Sequence, residues 1–78
     1  MVIFSYCNSE NMFIELAKVD TMKEAYTQMQ SEYNEVLDDM DDFDTIDYYI
    51  DDFDETSTEF GAAIIGYDYN HMWKIQQF

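Results

Sequence analysis

Between Lys23 and Lys74 the chain contains no basic residue, and within that window Asp38 to Glu59 places eleven acidic residues in 22. No fold can neutralise such a segment locally, because it holds no cation to pair with. Its carboxylates must lie at solvent-facing positions, and something else in the segment must hold it to the rest of the chain. Phe43, Ile46, Ile50 and Phe53 are interleaved with the acids and can do so. Acidic chains poor in aromatics and large aliphatics stay disordered. This one has 7 Tyr, 6 Phe, 1 Trp and 6 Met, with a hydrophobic share of 47%, inside the ordinary globular range. A single folded domain over residues 1–78 is expected, too small for separate substrate and cofactor modules.

The whole chain balances 18 Asp and Glu against 3 Lys, a net charge of −15. That excludes direct binding to nucleic acid or to an anionic membrane, since both need a basic surface. It also opposes folding. A chain of about 60 residues buries only about 60% of the surface it exposes when unfolded. Self-repulsion subtracts from that thin margin, and Cys7, the sole cysteine, can form no intramolecular disulfide. Compositional drift would enrich Lys along with Ile, Tyr, Phe and Asn, and halophilic adaptation sits badly with so many large aromatics. A charge excess held against these costs points to a use. Residues 1–6 lack the basic start of a signal peptide and no stretch is long enough to span a membrane. With a free cysteine, this suggests a reducing cytoplasm, that of a host cell if the chain is phage-encoded.

Residues 2–7 are short, apolar and rich in β-formers, residues 8–11 are polar, and residues 12–18 resume the apolar run; this predicts a β-hairpin. Thr21 followed by Glu24 fits a capping box. Beyond it Met22, Ala25, Tyr26, Met29, Tyr33, Val36, Leu37 and Met40 recur at helical spacing, with Glu24, Gln28, Glu32, Glu35 and Asp39 on the opposite face. Phe43, Ile46, Ile50 and Phe53 also recur at threes and fours, which predicts a second, shorter helix capped by Asp42 or Asp44; a strand through Ile46, Tyr48 and Ile50 is the alternative. Residues 62–69 read as a strand, and Asn70-His71 as a two-residue turn into a last strand over residues 72–78. The order ββααββ implies an α+β domain: a four-stranded, mostly antiparallel sheet of two hairpins with one long and one short helix on one face.

Catalytic chemistry has few residues to draw on. His71 is the only histidine and falls in an expected exposed turn. Cys7 has neither a second histidine nor an arginine to activate it. Gly61 and Gly66 are the only glycines, so no phosphate-cradling loop exists. Asp41, Asp42, Asp44 and Asp47 crowd together, but counted from Asp42 the sixth position is Asp47 and the twelfth Phe53, where a calcium loop needs Gly and Glu. Zinc is excluded by one Cys and one His. The expectation is no enzyme, no cofactor and no specific metal.

What is left is the charge array. Double-stranded DNA carries one charge per ~1.7 Å, so fifteen charges equal roughly 25 Å of duplex, about the size of a small domain. A scaffold that spaces carboxylates at about a helical turn, ~5.4 Å, can present them where a DNA-binding protein expects phosphates. In size, charge, the acidic stretch from Asp38 to Glu59 and the lack of catalytic residues, the chain resembles the small acidic DNA-mimic inhibitors of phages and mobile elements, of the anti-CRISPR and antirestriction type. The resemblance is one of class and rests on no shared motif. It implies a stoichiometric inhibitor, monomer or homodimer, that blocks the Lys/Arg-rich groove of a host defence or DNA-processing protein, a CRISPR effector first. The expected contact residues are Glu32, Glu35, Asp38, Asp39, Asp41, Asp42, Asp44, Asp47, Tyr48, Asp51, Asp52, Asp54 and Glu55, with Tyr48 as an exposed ring able to imitate a stacked base. The alternative is an acidic module that binds a basic chromatin protein, polymerase or toxin partner without imitating DNA.

Overall fold

The computed structural model describes residues 1–10, 12–40 and 43–78, with the backbone but not the side chain of Phe13. The first apolar run forms β1 (Val2–Asn8) and the second β2 (Phe13–Val19), an antiparallel hairpin in register from Val2 opposite Val19 to Asn8 opposite Phe13. The helix α1 (Met22–Asp39) begins at Thr21, whose Oγ1 accepts the Glu24 N–H at 3.1 Å, as the Thr21/Glu24 spacing predicts. Its buried stripe is Ala25, Met29 and Tyr33, with Met22, Tyr26, Val36 and Leu37 half-buried beside it. The chain continues through β3 (Thr45–Ile50), β4 (Glu59–Gly66) and β5 (Asn70–Gln77). All pairings are antiparallel, and the sheet order is β2-β1-β5-β4-β3.

Strand periodicity decides which face meets the helix. Val2 and Phe4 of β1, Phe60, Ala62 and Ile64 of β4, and Trp73 and Ile75 of β5 point the same way and close on Ala25, Met29 and Tyr33. Phe4, Met29, Ile64 and Ile75 are the largest fully buried side chains, each contributing on the order of 1.5–3 kcal/mol by leaving water. The helix runs over β4, β5 and β1, so the core lies under the middle of the sheet.

This architecture corrects the four-stranded, two-helix expectation: the described residues form five strands and one helix in the order ββαβββ. The segment around Ile46 is the edge strand β3, not a helix. Phe43, Ile46, Ile50 and Phe53 fit a helical period, whereas Ile46, Tyr48 and Ile50 fit the two-residue period of a strand. A helix there would stack Asp44 on Asp47 and Asp47 on Asp51, like charges at i+3 and i+4 in a residue type of poor helix propensity. As a strand, Thr-Ile-Asp-Tyr-Tyr-Ile is well suited to a pleated surface, and it satisfies the backbone of β4 from Ala62 to Gly66. Phe43 consequently does not pack a helix onto the sheet; it is 87% exposed. Of the two residues offered as caps, Asp44 lies in the turn before β3 and Asp42 lies outside the described residues.

The last hairpin also differs from expectation. Its turn is residues 67–69, closed by the Gly66 N–H donating to the Tyr69 carbonyl at 3.1 Å, and His71 sits inside β5. Asn-His lacks the glycine that makes a two-residue turn favourable, and the alternation His71, Trp73, Ile75 places all three under the helix. Because β5 is bonded to β1 on one side and β4 on the other, residues 72–78 offer no free edge for pairing across a dimer.

Gly66 is where β4, the turn and the start of β3 converge. A Cβ there would stand 2.8 Å from the Tyr69 carbonyl oxygen and 2.9 Å from that of Asp44, both backbone atoms. At Gly61 the nearest atoms would be at 3.7 Å, ordinary contact. Gly66→Ala is therefore expected to cost about 1–3 kcal/mol and lower the melting temperature by several degrees, with Gly61→Ala within about 0.5 kcal/mol of the parent; urea or thermal unfolding followed by circular dichroism checks the contrast.

Candidate functional site: an acidic surface on the helix, the third strand and the 51–58 loop

Three elements carry the acids. The solvent side of α1 presents Glu35, Asp38 and Asp39, all exposed. Asp38 and Asp39 occupy the last helical turn, which contains no basic residue. Carboxylates at that end face the partial negative charge of the helix dipole and lower stability. Glu32, on the same helix, is half-buried and engaged: its carboxylate accepts from Gln28 Nε2 at 3.1 Å and lies 3.5 Å from Trp73 Nε1.

Beside the C-terminal half of the helix runs β3. Asp47 is exposed there and accepts the Tyr48 N–H at 2.8 Å. A bulge between Thr45 and Asp47 interrupts the pairing with β4, a device that twists an edge away from further strand addition. Tyr48 is 56% exposed and lines one groove with Asp38, Thr45 and Ile46, so the structure brings the two elements' site residues together. The Tyr33 phenol is pushed up by burial and then by nearby Tyr48 and Asp47. Asp44 is exposed in the turn before the strand, and its carbonyl accepts the Tyr67 N–H at 3.1 Å. Asp41 and Asp42 lie outside the described residues.

The third element is the 51–58 loop, which is anchored at several points. Tyr26 Oη donates to the Asp51 carbonyl at 2.7 Å, and the Asp51 carboxylate accepts the Gly61 N–H at 2.7 Å. Phe53 packs against both Tyr26 and Phe60, with ring centroids 5.3 and 5.6 Å away, and those two rings are themselves 5.2 Å apart. Asp54 Oδ1 accepts both the Thr56 N–H, at 2.8 Å, and the Thr56 hydroxyl, at 2.7 Å, which hold its carboxyl below the usual carboxylate range. The Ser57 N–H donates to the Asp54 carbonyl, and the Gln77 N–H to that of Thr58. Burial, then the charges of Asp52 and Asp51, push the Tyr26 phenol up. Asp52 and Glu55 project from a loop whose backbone these contacts fix.

Glu59 completes this cluster. It stands at the start of β4, exposed, and lines a shallow groove together with Asp51, Asp52, Asp54 and Glu55. The sequence reading places it in the acidic run but not among the contact residues; its direct junction with the loop was the available signal.

The two residues with catalytic potential are placed structurally. Cys7 is half-buried on β1. His71 is buried, 7% exposed, which corrects its expected place in an exposed turn. The Tyr6 hydroxyl accepts from Asn8 Nδ2 at 3.0 Å and shares a hydrogen bond of 2.6 Å with His71 Nδ1. Tyr69 and Trp73 flank the ring. Among the described residues no group of three or more His, Cys, Asp or Glu is arranged to hold a metal ion, and no helix is long and apolar enough to cross a membrane. No protein-family model, no curated protein and no solved structure matches the chain.

Two measurements probe these electrostatics. Replacing Asp39 by Lys converts an unfavourable dipole contact into a favourable one and reduces self-repulsion, so the variant should be more stable by about 0.3–1 kcal/mol, or about 2–8 °C in melting temperature; Asp39→Asn should give a smaller gain of the same sign. For His71, burial depresses the folded-state value below 6.5, with Glu10 opposing weakly. The unfolded chain then takes up the proton first, so stability is level above pH 6.5 and falls as pH drops below it, no faster than about 1.4 kcal/mol per pH unit. Urea titrations from pH 7.5 to 5.5 should show this slope in the parent and not in His71→Gln.

Proposed function

We propose that the protein is a stoichiometric inhibitor that presents carboxylates in place of nucleic-acid phosphates and occludes the Lys/Arg-rich groove of a nucleic-acid-binding protein, with a CRISPR effector as the first target. The observation that carries this reading is the anchored acidic loop. Asp52, Asp54 and Glu55 repel one another, yet Tyr26, Phe53, Phe60 and Gly61 hold their backbone in one arrangement. A solubilising acidic segment needs no such anchoring, whereas a surface that must match a partner's cations gains affinity from it, because less order remains to be imposed on binding. The acids in the last turn of α1 support the same reading: they lower stability where they stand, so folding does not account for them.

Dimensions are compatible. The molecule measures 37 × 23 × 15 Å, so a net charge of −15 along the longest axis is one charge per about 2.5 Å, of the order of the ~1.7 Å of duplex DNA. The target's own Lys and Arg would supply long-range attraction and rapid, salt-sensitive association. Tyr48, half-exposed among Asp47, Asp38 and the bulge, offers a ring for stacking against an arginine or an aromatic of the groove.

Pull-down from a host lysate tests this. A nucleic-acid-binding protein should be retained at low salt and largely released at ~0.5 M salt, and duplex DNA should displace it. Reversing Glu35, Asp39, Asp52 and Glu55 to Lys, four exposed acids outside the anchoring contacts, should abolish retention while the circular dichroism spectrum is kept. If no nucleic-acid-binding protein is retained, mimicry is wrong. If a basic protein is retained but DNA does not compete for it, the surface is an acidic interaction module and not a mimic.

A further inference from the structure

The single helix covers one face of the sheet, and the register assigns to the opposite face Ile14 and Leu16 of β2, Ile3 of β1, Met72 of β5, Ile65 of β4 and Tyr49 of β3. Ile14 and Leu16 are each 71% exposed, and Met72 and Tyr49 are about half exposed. A groove of about 560 Å³ crosses this face between Ile14, Cys7, Met72 and Tyr49. Contiguous apolar surface of this kind on a small domain marks an interaction site. The acidic surface described above does not account for it, since a Lys/Arg-rich groove has no use for aliphatic side chains.

The charge on this face is unlike that of the rest of the molecule. Register places two of the three lysines here, Lys18 on β2 and Lys74 on β5, against Asp47 on β3, Glu59 on β4 and Asp51 at the corner. The face therefore carries a net −1 out of −15, and it is the surface on which two copies can meet with least repulsion. The charges are also segregated, with Lys18 at the β2 margin and the acids towards β3 and β4. A two-fold axis running along the strands sets β2 of one copy over β3 of the other, so that Ile14 meets Tyr49 and Leu16 and Lys18 lie at the heights of Asp51 and Glu59, while Lys74 on the central β5 faces its own counterpart. Five strands ~4.8 Å apart and about seven residues long, at ~3.4 Å each, give a face of roughly 600 Å², hence roughly 1,200 Å² over two copies. That reaches the lower end of specific interfaces, and aligned face-to-face sheet packing is a standard way of burying such a surface.

We infer that the open face of the sheet is a self-association surface, on which a second copy of the chain packs face to face about a two-fold axis. The acidic helix and the loop acids Asp52, Asp54 and Glu55 of each copy then lie on the outside, giving a bivalent acidic particle, while Asp47, Asp51 and Glu59 turn towards the interface. This inference rests on the sheet and not on the mimic reading, and salt separates the two. Screening relieves repulsion between two copies of net charge −15 and so strengthens self-association, whereas it weakens binding to a basic target.

Sedimentation equilibrium from ~10 µM to ~0.5 mM protein, at low and at ~0.5 M salt, tests it. The expected mass rises from 9.3 kDa towards twice that value, at lower protein concentration in high salt. Leu16→Glu should hold the chain at the single mass with an unchanged circular dichroism spectrum, and Lys18→Glu should weaken association at low salt. Cys7, on the same face, gives a readout on the unaltered protein: its alkylation by iodoacetamide should slow as concentration rises. Three results would each overturn the inference: a mass of 9.3 kDa throughout, a dimer that Leu16→Glu leaves intact, or a Cys7 rate independent of concentration. If Leu16→Glu does not fold, the mass of the parent and the Cys7 rate decide between the outcomes.

Discussion

The pairing of β1 with β5 holds the rest of the molecule together. The first strand and the last are in register from Val2 opposite Gln77 to Asn8 opposite His71, and the ladder extends to the Phe78 N–H donating to the Met1 carbonyl at 2.8 Å. Without that pairing the chain would be a hairpin, a helix and a three-stranded meander, none with enough apolar surface to stand alone. With it, Phe4 and Val2 lie beside Ile75 and Trp73, and a single helix bearing Ala25, Met29 and Tyr33 can close over both. These contacts join the two ends of the chain, so the core forms only when nearly the whole chain is in place, a topology that favours slow, cooperative folding.

One helix on five strands also governs where the charge goes. The helix shields the middle of one face and leaves its own outer side, the β3 edge and the 51–58 loop facing water, and most of the eighteen acids are found there. Their arrangement departs from what stability alone would select. Asp38 and Asp39 stand at the negative end of the helix dipole, and the loop holds Asp52 and Glu55 near Asp51 and Asp54 by means of an aromatic cluster and backbone bonds. The opposite sheet face carries nearly balanced charges beside exposed aliphatic side chains. We propose the acidic side for a cationic partner and the opposite face for a copy of the chain.

Some of this is readable from residues alone. The Thr21/Glu24 pair and the stripe from Met22 to Met40 identify α1 to within a residue, since capping and a 3.6 period coincide over five turns. The first hairpin is equally plain. The region from Phe43 to Phe53 is not, because Phe43, Ile46, Ile50 and Phe53 match a helix while Ile46, Tyr48 and Ile50 match a strand, and short apolar runs satisfy both periods. The like-charge stacking a helix would impose between Asp47 and Asp51 was present in the sequence and favours the strand. At His71 a polar residue beside Asn70 looks like a turn, but the alternation His71, Trp73, Ile75 is the stronger signal, and the Tyr6 hydroxyl 2.6 Å away makes its burial tolerable. Of the acidic site, the sequence shows which residues carry charge. It does not show that Glu32 turns towards Trp73, that the Asp51 carboxylate is taken by Gly61, or that Glu59 joins the loop.

Residue types and their spacing are enough to show that lysine is scarce and arginine absent, and that a helix begins at Thr21 and carries the stripe from Met22 to Met40. These follow from composition and from local periodicity, which act within a few residues. Long-range contacts make the acidic run an edge strand and an anchored loop and leave one face of the sheet uncovered. β4 needs a strand to satisfy its free backbone, Phe53 needs Tyr26 and Phe60 to anchor it, and one helix is too narrow to cover a second face. No local pattern encodes those pairings.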